Sequence, residues 1–386
     1  MLSFDNTENA FKAKSDMDLN RSYWLFKLIG NPILVKLGAL SAPIAVRIGF
    51  KRLFKKTIFN QFVGGENIED CSATILELGK FNIGTILDYS VEGKESENDF
   101  EQCTKETIAT IHKAKNDKNI PFCVFKVTGL ARFALLEKVS SEVQLTENEK
   151  TEWEKVRTRV HSICKTAAEN KQAIFIDAEE SWIQPAIDAL ADENMQAFNT
   201  ESAIVYNTYQ LYRNDRLDFL KKSFAKAESG NYHIGAKLVR GAYMEKERKR
   251  AQDNNYPDPI QASKEKSDED YNAAIDFCIE NINRFGLCAG THNEKSSLKL
   301  AELMKNKGIQ SNDKRVFFSQ LLGMSDHISY NLSLSGYNVA KYVPYGPVEE
   351  VLPYLIRRAQ ENTSVKGQTG RELSLIIKEK RRRKSN

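Results

Sequence analysis

The strongest constraint on this chain is an alternation of short apolar runs with longer helical stretches, which begins after residue 65. The runs are rich in β-branched and aromatic residues, and they cover 83–92, 122–128, 173–179, 203–209, 233–239, 286–292, 315–322 and 339–345. Near-continuous apolar strands separated by helices are typical of a parallel sheet. Eight such units predict a (β/α)8 barrel. A doubly wound open sheet is the alternative, but no G-x-G-x-x-G motif follows the first run.

The two ends of the chain have a different character. Residues 1–62 predict a polar tail followed by amphipathic helices, 63–370 the barrel, and 371–386 a basic tail. Charges and prolines interrupt the apolar part of 23–62, so no uncharged run there is long enough to span a bilayer. Helices packed on the domain are the favoured interpretation, and a basic surface for anionic lipid is the alternative. The basic tail fits either a disordered, solubilising segment or membrane attachment.

Composition argues against several classes of protein. A net charge of +4 is too small to indicate nucleic-acid binding by itself. The six cysteines form no C-x-x-C pair, and the five histidines form no H-x-x-x-H pair. This pattern argues against a disulfide framework or a metal centre, and it suits a reducing compartment. The first twenty residues are polar and partly acidic, unlike a signal peptide.

Polar residues cluster where the predicted strands end, which is the catalytic rim of a (β/α)8 barrel. Lys126, Asp177 and Lys237 lie within otherwise apolar runs. Burying such groups without a partner is costly, so they must pair with each other or with a ligand. A buried salt bridge would explain any one of them, whereas three at one rim favour an active site.

The helix predicted after the last strand reads "YLIRRAQEN". It places Tyr354, Arg357, Arg358 and Glu361 at spacings of three and four, on one helical face. Two adjacent guanidinium groups can bind carboxylate oxygens, although a solvated charge run is the commoner role of such a pair. A substrate that bears a carboxylate is therefore plausible.

These motifs together resemble those of the proline dehydrogenases. The matching stretches include "FKVTG", "IDAEES", "NTYQLY", "AKLVRGAYMEKER", "GTHN", "SQLLGM" and "KYVPYGPVEEVLPYLIRRAQ", one per strand and in the family's order. The likeness is greatest to the monofunctional, mitochondrial-type branch. It implies a distorted (β/α)8 barrel that binds FAD and oxidises L-proline to Δ1-pyrroline-5-carboxylate by hydride transfer to flavin N5. It also implies a quinone at a membrane as electron acceptor and a pyrroline-5-carboxylate dehydrogenase on a separate chain.

The resemblance assigns roles to individual residues. Arg357 and Arg358 would bind the substrate carboxylate. Lys126 would lie beside substrate and flavin, supported by Asp177, and Lys237 would lie near flavin N5. The other substrate-binding matches are Asp88, Tyr243, Leu321 and Tyr342, and Glu92 would hold an arginine in place. The other cofactor-binding matches are Asn207, Val239, Gly241, Ala242, Tyr243, Thr291, His292, Asn293 and Glu361.

Three alternatives remain open. A 4-hydroxyproline dehydrogenase is the closest, but the bulky phenol of Tyr342 would crowd a 4-hydroxyl group. A non-catalytic barrel would bind anionic lipid or nucleic acid through its basic ends. A metal-dependent hydrolase would use Asp88, Asp177, Glu179 and His292, with few histidines to support it. The expected location is the cytoplasm, either free or on the inner face of the cell membrane.

Overall fold

A computed structural model describes residues 2–45, 51–90, 95–364 and 368–385, without the side chains of 40, 43–45, 52, 53, 56, 360–364, 368 and 369. Eight strands lie within these ranges. They are β1 (Ile83–Tyr89), β2 (Phe122–Lys126), β3 (Ala173–Asp177), β4 (Val205–Gln210), β5 (Ile234–Val239), β6 (Phe285–Gly290), β7 (Val316–Leu321) and β8 (Val339–Tyr345). Each strand coincides with one of the eight runs predicted from the sequence.

The strands follow one another in chain order around a closed barrel. The pairs β2–β3, β3–β4, β4–β5, β5–β6, β6–β7 and β1–β8 are all parallel. Helices separate the strands, so each parallel crossover has a helix to bridge it. The predicted (β/α)8 fold is confirmed, and the open doubly wound sheet is not what this chain forms.

The chain forms two compact units, the first comprising Met1–Glu92 with Gln320–Asn386 and the second Gly93–Ser319. Helices of the second unit are α7 (Glu97–Ala114), α8 (Phe133–Ser140), α9 (Glu147–Glu169), α10 (Gln184–Phe198), α11 (Arg216–Ser229), α12 (Met244–Asp253), α13 (Lys264–Glu280) and α14 (Glu294–Asn306). Helices of the first unit are α1 (Thr7–Ala10), α2 (Asp16–Ile29), α3 (Pro32–Ala45), α4 (Lys51–Phe54), α5 (Asn60–Phe62), α6 (Ser72–Gly79), α15 (Asp326–Leu334), α16 (Leu352–Ser364) and α17 (Gln368–Ser385), with a π-helical turn at Lys55–Phe59. The boundaries expected at residues 62 and 370 stay predictions.

Helices of the second unit show how sequence sets local structure. At the start of α9, the Thr146 hydroxyl accepts from the Glu149 N–H, and the Glu149 carboxylate accepts from the Thr146 N–H. This reciprocal cap satisfies donors that a helix start otherwise leaves open. The buried side chains of α9 then recur at helical spacing, at Val156, Val160 and Ile163, so the helix lays one apolar stripe on the core.

The N-terminal helices pack on the first unit, as the favoured interpretation of the sequence predicted. Ser15 and Asp18 form the same reciprocal cap at the start of α2. Leu19, Phe26 and Ile29 are buried along one face of that helix. They join a core that includes Val35 from α3, Tyr354, Leu355 and Ala359 from α16, and Leu375 and Ile376 from α17.

The basic C-terminal tail is a packed helix rather than a disordered segment. Within α17, the buried Glu379 carboxylate accepts from Arg382 and Arg383, each at 2.8 Å. Arg383 also pairs with Asp16 at 2.8 Å and donates to the Phe11 carbonyl at 2.9 Å. These cations are therefore largely neutralised by acids and carbonyls of the first unit.

Candidate active site

Three charged residues meet at the carboxyl ends of strands in the second unit. The Asp177 carboxylate, at the end of β3, accepts from Lys126 Nζ at 3.2 Å and, through its other oxygen, from Lys237 Nζ. Lys126 is the β2 partner of Asp177, and Lys237 lies on β5, so three strands converge on one carboxylate. The expectation that these three charges pair with one another is confirmed.

Two of these three residues, Asp177 and Lys237, are buried, whereas Lys126 is half-buried. Lys237 is only 5% exposed and Asp177 8% exposed. The ammonium group of Lys237 also lies 5.3 Å from the centre of the Phe175 ring. The two ammonium groups supply positive charge at this rim, and a low-dielectric setting strengthens their effect on a bound anion. The cluster can therefore stabilise negative charge that develops on a ligand.

The next polar side chain along this rim is Gln210, which the sequence analysis did not identify. Its Nε2 donates to the Glu179 carbonyl at 2.8 Å, while its Oε1 is buried with no hydrogen-bond partner among the described residues. A buried acceptor without a partner is uncommon in folded proteins, and it indicates a place for a donor from a ligand. The quoted motif "NTYQLY" contains this glutamine, but the sequence does not show which side of the strand its side chain occupies.

The side chain of Asn207 does not point to the same side of β4 as that of Gln210. The side chain donates to Asp188 on α10 at 2.9 Å and accepts from the Thr208 N–H at 2.8 Å. Side chains alternate along a strand, and Thr208 is the residue that pairs in register with Lys237. Asn207 thus joins strand to helix, and Gln210 rather than Asn207 lies on the side of β4 that matches Lys237.

The loop after β5 is shaped by a single tight contact. Gly241 has φ of +149°, and a Cβ at this position would come within 2.3 Å of the Tyr212 ring. Only glycine fits both the backbone conformation and the space. Gly241 and Ala242 are exposed, and Val239 and Tyr243 half-buried, so this loop presents small residues on an accessible surface.

The residues after β6 form a hydrogen-bonded corner. Arg240 donates to the Thr291 hydroxyl at 2.7 Å, and the same hydroxyl accepts from the Asn293 N–H at 3.1 Å. Asn293 then caps α14 by accepting from the Ser296 N–H at 3.1 Å. His292 lies half-buried between these two residues. The corner therefore holds the start of α14 at the same end of the sheet as Lys237.

Glu179 supports this rim from below the surface. It accepts from the Thr128 N–H at 3.0 Å and from the Thr128 hydroxyl at 2.5 Å. Burial raises the pKa of Glu179 to about 7, against the lowering effect of these hydrogen bonds. The protonation state of this carboxyl group therefore changes near neutral pH.

The first unit contains most of the predicted substrate-binding residues. Asp88, on β1, is buried and accepts from the Ser90 hydroxyl at 2.6 Å. Tyr342, on β8, is buried and pairs in register with Ile86, and its carbonyl accepts from the Leu322 N–H at 2.9 Å. Leu321, the last residue of β7, is half-buried.

The two arginines lie on α16, as predicted, and both are half-buried. The Arg358 guanidinium lies 5.3 Å from the centre of the Tyr354 ring, a distance at which the ring holds a cation in place. The side chain of Glu361, and the whole of Glu92, lie outside the described residues. In the described part of the chain, no group of three or more His, Cys, Asp or Glu is arranged to hold a metal ion.

The second unit fits a flavin on two independent observations. A flavin ring carries an N–H group, from which the unpartnered Gln210 Oε1 can accept a hydrogen bond. A reduced flavin gains anionic character, which the ammonium groups of Lys126 and Lys237 would stabilise. The residues that could hold such a cofactor are therefore present along the ends of β3 to β6.

Comparisons with known proteins identify relatives over most of the chain. The family model for proline dehydrogenase matches residues 71–371. The chain is 34% identical over 322 residues to the carbapenem antibiotics biosynthesis protein CarD of Pectobacterium carotovorum subsp. carotovorum, an alignment that covers 83% of each chain.

Two further relatives differ in the substrate that their names give. The chain is 40% identical over 243 residues to mitochondrial proline dehydrogenase 1 of Homo sapiens, covering 62% of this chain and 40% of the relative. It is 31% identical over 424 aligned residues to hydroxyproline dehydrogenase of Xenopus laevis, covering 100% of this chain and 91% of the relative.

Among solved structures, the chain is similar to proline utilization A from Bdellovibrio bacteriovorus inactivated by N-propargylglycine. The TM-score is 0.74 with 17% sequence identity, and the likeness covers 93% of this chain but 38% of that one. At this identity the comparison supports the barrel fold.

Proposed function

Because the chain belongs to the proline dehydrogenase family, we propose that it oxidises L-proline to Δ1-pyrroline-5-carboxylate with FAD as bound cofactor. The reaction removes a hydride from C5 and a proton from the ring nitrogen of proline, and a C=N bond forms. FAD, when bound, supplies the two-electron acceptor for that hydride. The observation that carries the proposal is the buried carboxylate of Asp177 shared by Lys126 and Lys237.

The proposed cofactor site draws on the second unit. Its residues are Gln210, Lys237, Val239, Gly241, Ala242, Tyr243, Thr291, His292 and Asn293. Lys237 supplies a fixed positive charge, and Asp177 holds it in one rotamer. Gln210 offers its unpartnered Oε1 as an acceptor. The small residues Gly241 and Ala242 leave room for a large planar ligand.

The proposed substrate-binding residues bind and orient proline. Arg357 and Arg358 bind its carboxylate, for which paired guanidinium groups are well suited. Leu321, Tyr342 and Tyr243 provide apolar and aromatic walls for the ring. Asp88 and Lys126 complete the polar part of the set, and Glu361 is assigned to the cofactor by the resemblance alone. Positioning and electrostatics, rather than a protein nucleophile, then account for catalysis.

A second substrate, 4-hydroxyproline, follows from one specific comparison. The Xenopus laevis relative named hydroxyproline dehydrogenase aligns with the whole of this chain. Against it stands Tyr342, whose phenol would crowd a hydroxyl group on C4 of the ring. Turnover of both substrates by the wild type and by Tyr342→Ser tests this assignment. A wild-type preference for 4-hydroxyproline would reverse the assignment of the pocket.

The proposal includes partners beyond the substrate. A membrane quinone is the proposed electron acceptor, reached by peripheral contact with the inner face of the cell membrane from the cytoplasm. A separate pyrroline-5-carboxylate dehydrogenase is the proposed consumer of the product. The rate of proline-dependent reduction tests the acceptor. It is measured with purified protein, proline and quinone, and again with purified protein, proline and a nicotinamide cofactor in place of the quinone.

An absorption spectrum tests the central proposal. The purified protein should show flavin bands that bleach when L-proline is added without oxygen. A yellow protein that proline leaves unbleached would retain the cofactor and reject the substrate. A protein that stays colourless after incubation with FAD would reject the cofactor, and a non-catalytic barrel that binds anionic surfaces would then take first place.

A further inference from the structure

An apolar cavity of about 340 Å³ opens on the first unit. It is lined by α2, α3, α4, α16 and the π-helical turn, and Ser41 is the one polar residue among those that line it. Leu28 and Leu34 line the cavity and are also 52% and 44% exposed. The cavity therefore opens to the surface between exposed leucines, unlike a sealed packing defect.

Further apolar side chains lie exposed on the two helices that flank the cavity. Trp24 on α2 is 58% exposed, and Ile33 and Leu37 on α3 are 70% and 59% exposed. Their opposite faces are packed in the core, as Phe26 and Val35 show. Large exposed apolar groups close together mark a surface that binds a partner or a membrane. We call the exposed faces of α2 and α3, with the cavity between them, the docking face.

The charge of this segment indicates the chemistry of the partner. Residues 20–65 contain eight Lys and Arg and no Asp or Glu. Lys27 is exposed, with its ammonium group 5.1 Å from the centre of the Trp24 ring, and Lys36 is exposed on α3. Lys380 of α17 lies 4.5 Å from the centre of the Tyr23 ring. A second copy of this chain would bring like charges together, whereas an anionic surface complements them.

From these observations we infer that the docking face binds an anionic phospholipid bilayer, and that the cavity accepts one acyl chain. In the described ranges, no helix is long and apolar enough to cross a membrane. The two helices instead have the composition of interfacial helices, with Trp and Leu beside Lys on one surface. The inference rests on the membrane contact in the proposed function, and it assigns that contact to named residues.

Vesicle binding tests the electrostatic part. The full-length protein with FAD should sediment with vesicles of phosphatidylcholine and phosphatidylglycerol, more weakly with phosphatidylcholine alone, and less as salt rises. Removing one cation should weaken vesicle binding about fivefold, so Lys27→Gln with Lys36→Gln should weaken it about 25-fold. The matched control is Lys118→Gln with Lys305→Gln, two exposed lysines of the second unit that give the same net charge. Equal binding by the two double variants would overturn the inference.

A glycine pair tests the cavity. Gly38 lines it, and a Cβ added there meets no atom within 4 Å. The same is true of Gly370, an exposed residue of α17. Gly38→Leu should fill the cavity and weaken vesicle binding, whereas Gly370→Leu should not. If Gly38→Leu bound as tightly as Gly370→Leu, or more tightly, an acyl chain in the cavity would be excluded.

Fluorescence gives a reading independent of affinity. Of the three tryptophans, Trp24 lies on the docking face, and Trp153 and Trp182 belong to the second unit. Vesicles that contain phosphatidylcholine brominated on its acyl chains should quench wild-type emission but not that of Trp24→Phe. Equal quenching in both proteins would contradict the assignment.

Proline-dependent reduction of a soluble dye without lipid should be unchanged in Lys27→Gln with Lys36→Gln, so failure of the proposed reaction and failure of docking are separable.

Discussion

Replacing Asp177 by asparagine keeps the size of the side chain and removes the charge that Lys126 and Lys237 share. Lys237 is 5% exposed, so its ammonium group would stay in the interior without its carboxylate partner. Breaking a buried ion pair by removing one partner typically costs about 3–5 kcal/mol. An isolated lysine can instead shed its proton, which for an ordinary lysine at pH 7 costs about 4.6 kcal/mol and limits the penalty.

This loss of stability converts into a measurable shift of the melting temperature. With an unfolding entropy of about 2.1 cal/mol/K per residue, a chain of 386 residues melts about 1.2 °C lower per kcal/mol lost. Asp177→Asn should therefore lower the melting temperature by about 4–6 °C. Differential scanning calorimetry without substrate measures it. The melting temperature should fall less at high pH, where a lysine that lacks the Asp177 carboxylate loses its proton more easily.

A matched control separates this effect from the loss of any surface charge. Asp253 pairs with Lys249 at 2.8 Å on the exposed side of α12. Exposed pairs of this kind contribute about 0–1 kcal/mol, so Asp253→Asn should leave the melting temperature nearly unchanged. Adding Lys237→Met to Asp177→Asn should recover part of the loss, because an apolar side chain of similar length has no charge to bury. Equal melting temperatures for the two Asn variants would refute the reasoning.

Three other substitutions test the site. Gln210→Leu should lower the amount of FAD retained on gel filtration, because the acceptor Oε1 is lost, while the circular dichroism spectrum stays that of the wild type. Burial raises the pKa of Glu179 to about 7. The contribution of this group to the free energy of unfolding is therefore fully present below about pH 4 and is lost as pH rises through 7. Glu179→Gln should therefore flatten the decline of chemical-denaturation stability between pH 5 and 8. Arg358→Lys keeps the charge but not the planar fork, so KM for proline should rise about 10- to 100-fold with a smaller change in kcat, whereas Arg315→Lys at an exposed site should change neither.

The sequence was sufficient for the fold because each strand is buried on both faces. Strand β8 is buried at all seven positions and is apolar apart from Lys341, which is the kind of run by which the strands were recognised. Strand β4 is also buried at all six positions, although polar residues interrupt its run. The pairing of Lys126, Asp177 and Lys237 also followed from the sequence. A charged residue within such a run is buried, so it has few possible partners other than another charged residue of the same kind of run.

That same double burial explains why the sequence did not distinguish Asn207 from Gln210. In a half-exposed strand, polar and apolar residues alternate and reveal which side chains face the core. In β4 every residue is buried, so the sequence does not distinguish the phase of Asn207 from that of Gln210. The distinction depends on partners from other elements, namely Asp188 on α10 for one amide and the Glu179 carbonyl for the other. Glu179 and Arg240 follow the strands β3 and β5, and their partners Thr128 and Thr291 are distant in the sequence, so the sequence does not reveal these contacts either.

The two basic ends of the chain show what charge composition can and cannot predict. In α17, Arg382 and Arg383 have Glu379 within one helical turn, and Asp16 and Glu8 approach them from the N-terminal segment. Residues 20–65 have no acidic residue among them, and the nearest acid that follows, Glu66, pairs with Lys51 and Lys55 at 3.4 and 2.7 Å. Local acid content therefore separates α17, whose Arg382 and Arg383 are paired with acids, from α2 and α3, whose Lys27 and Lys36 form no ion pair with the described residues. A net charge of +4 over the whole chain conceals this difference, and the distribution along the sequence carries the prediction that α2 and α3 contact anionic lipid.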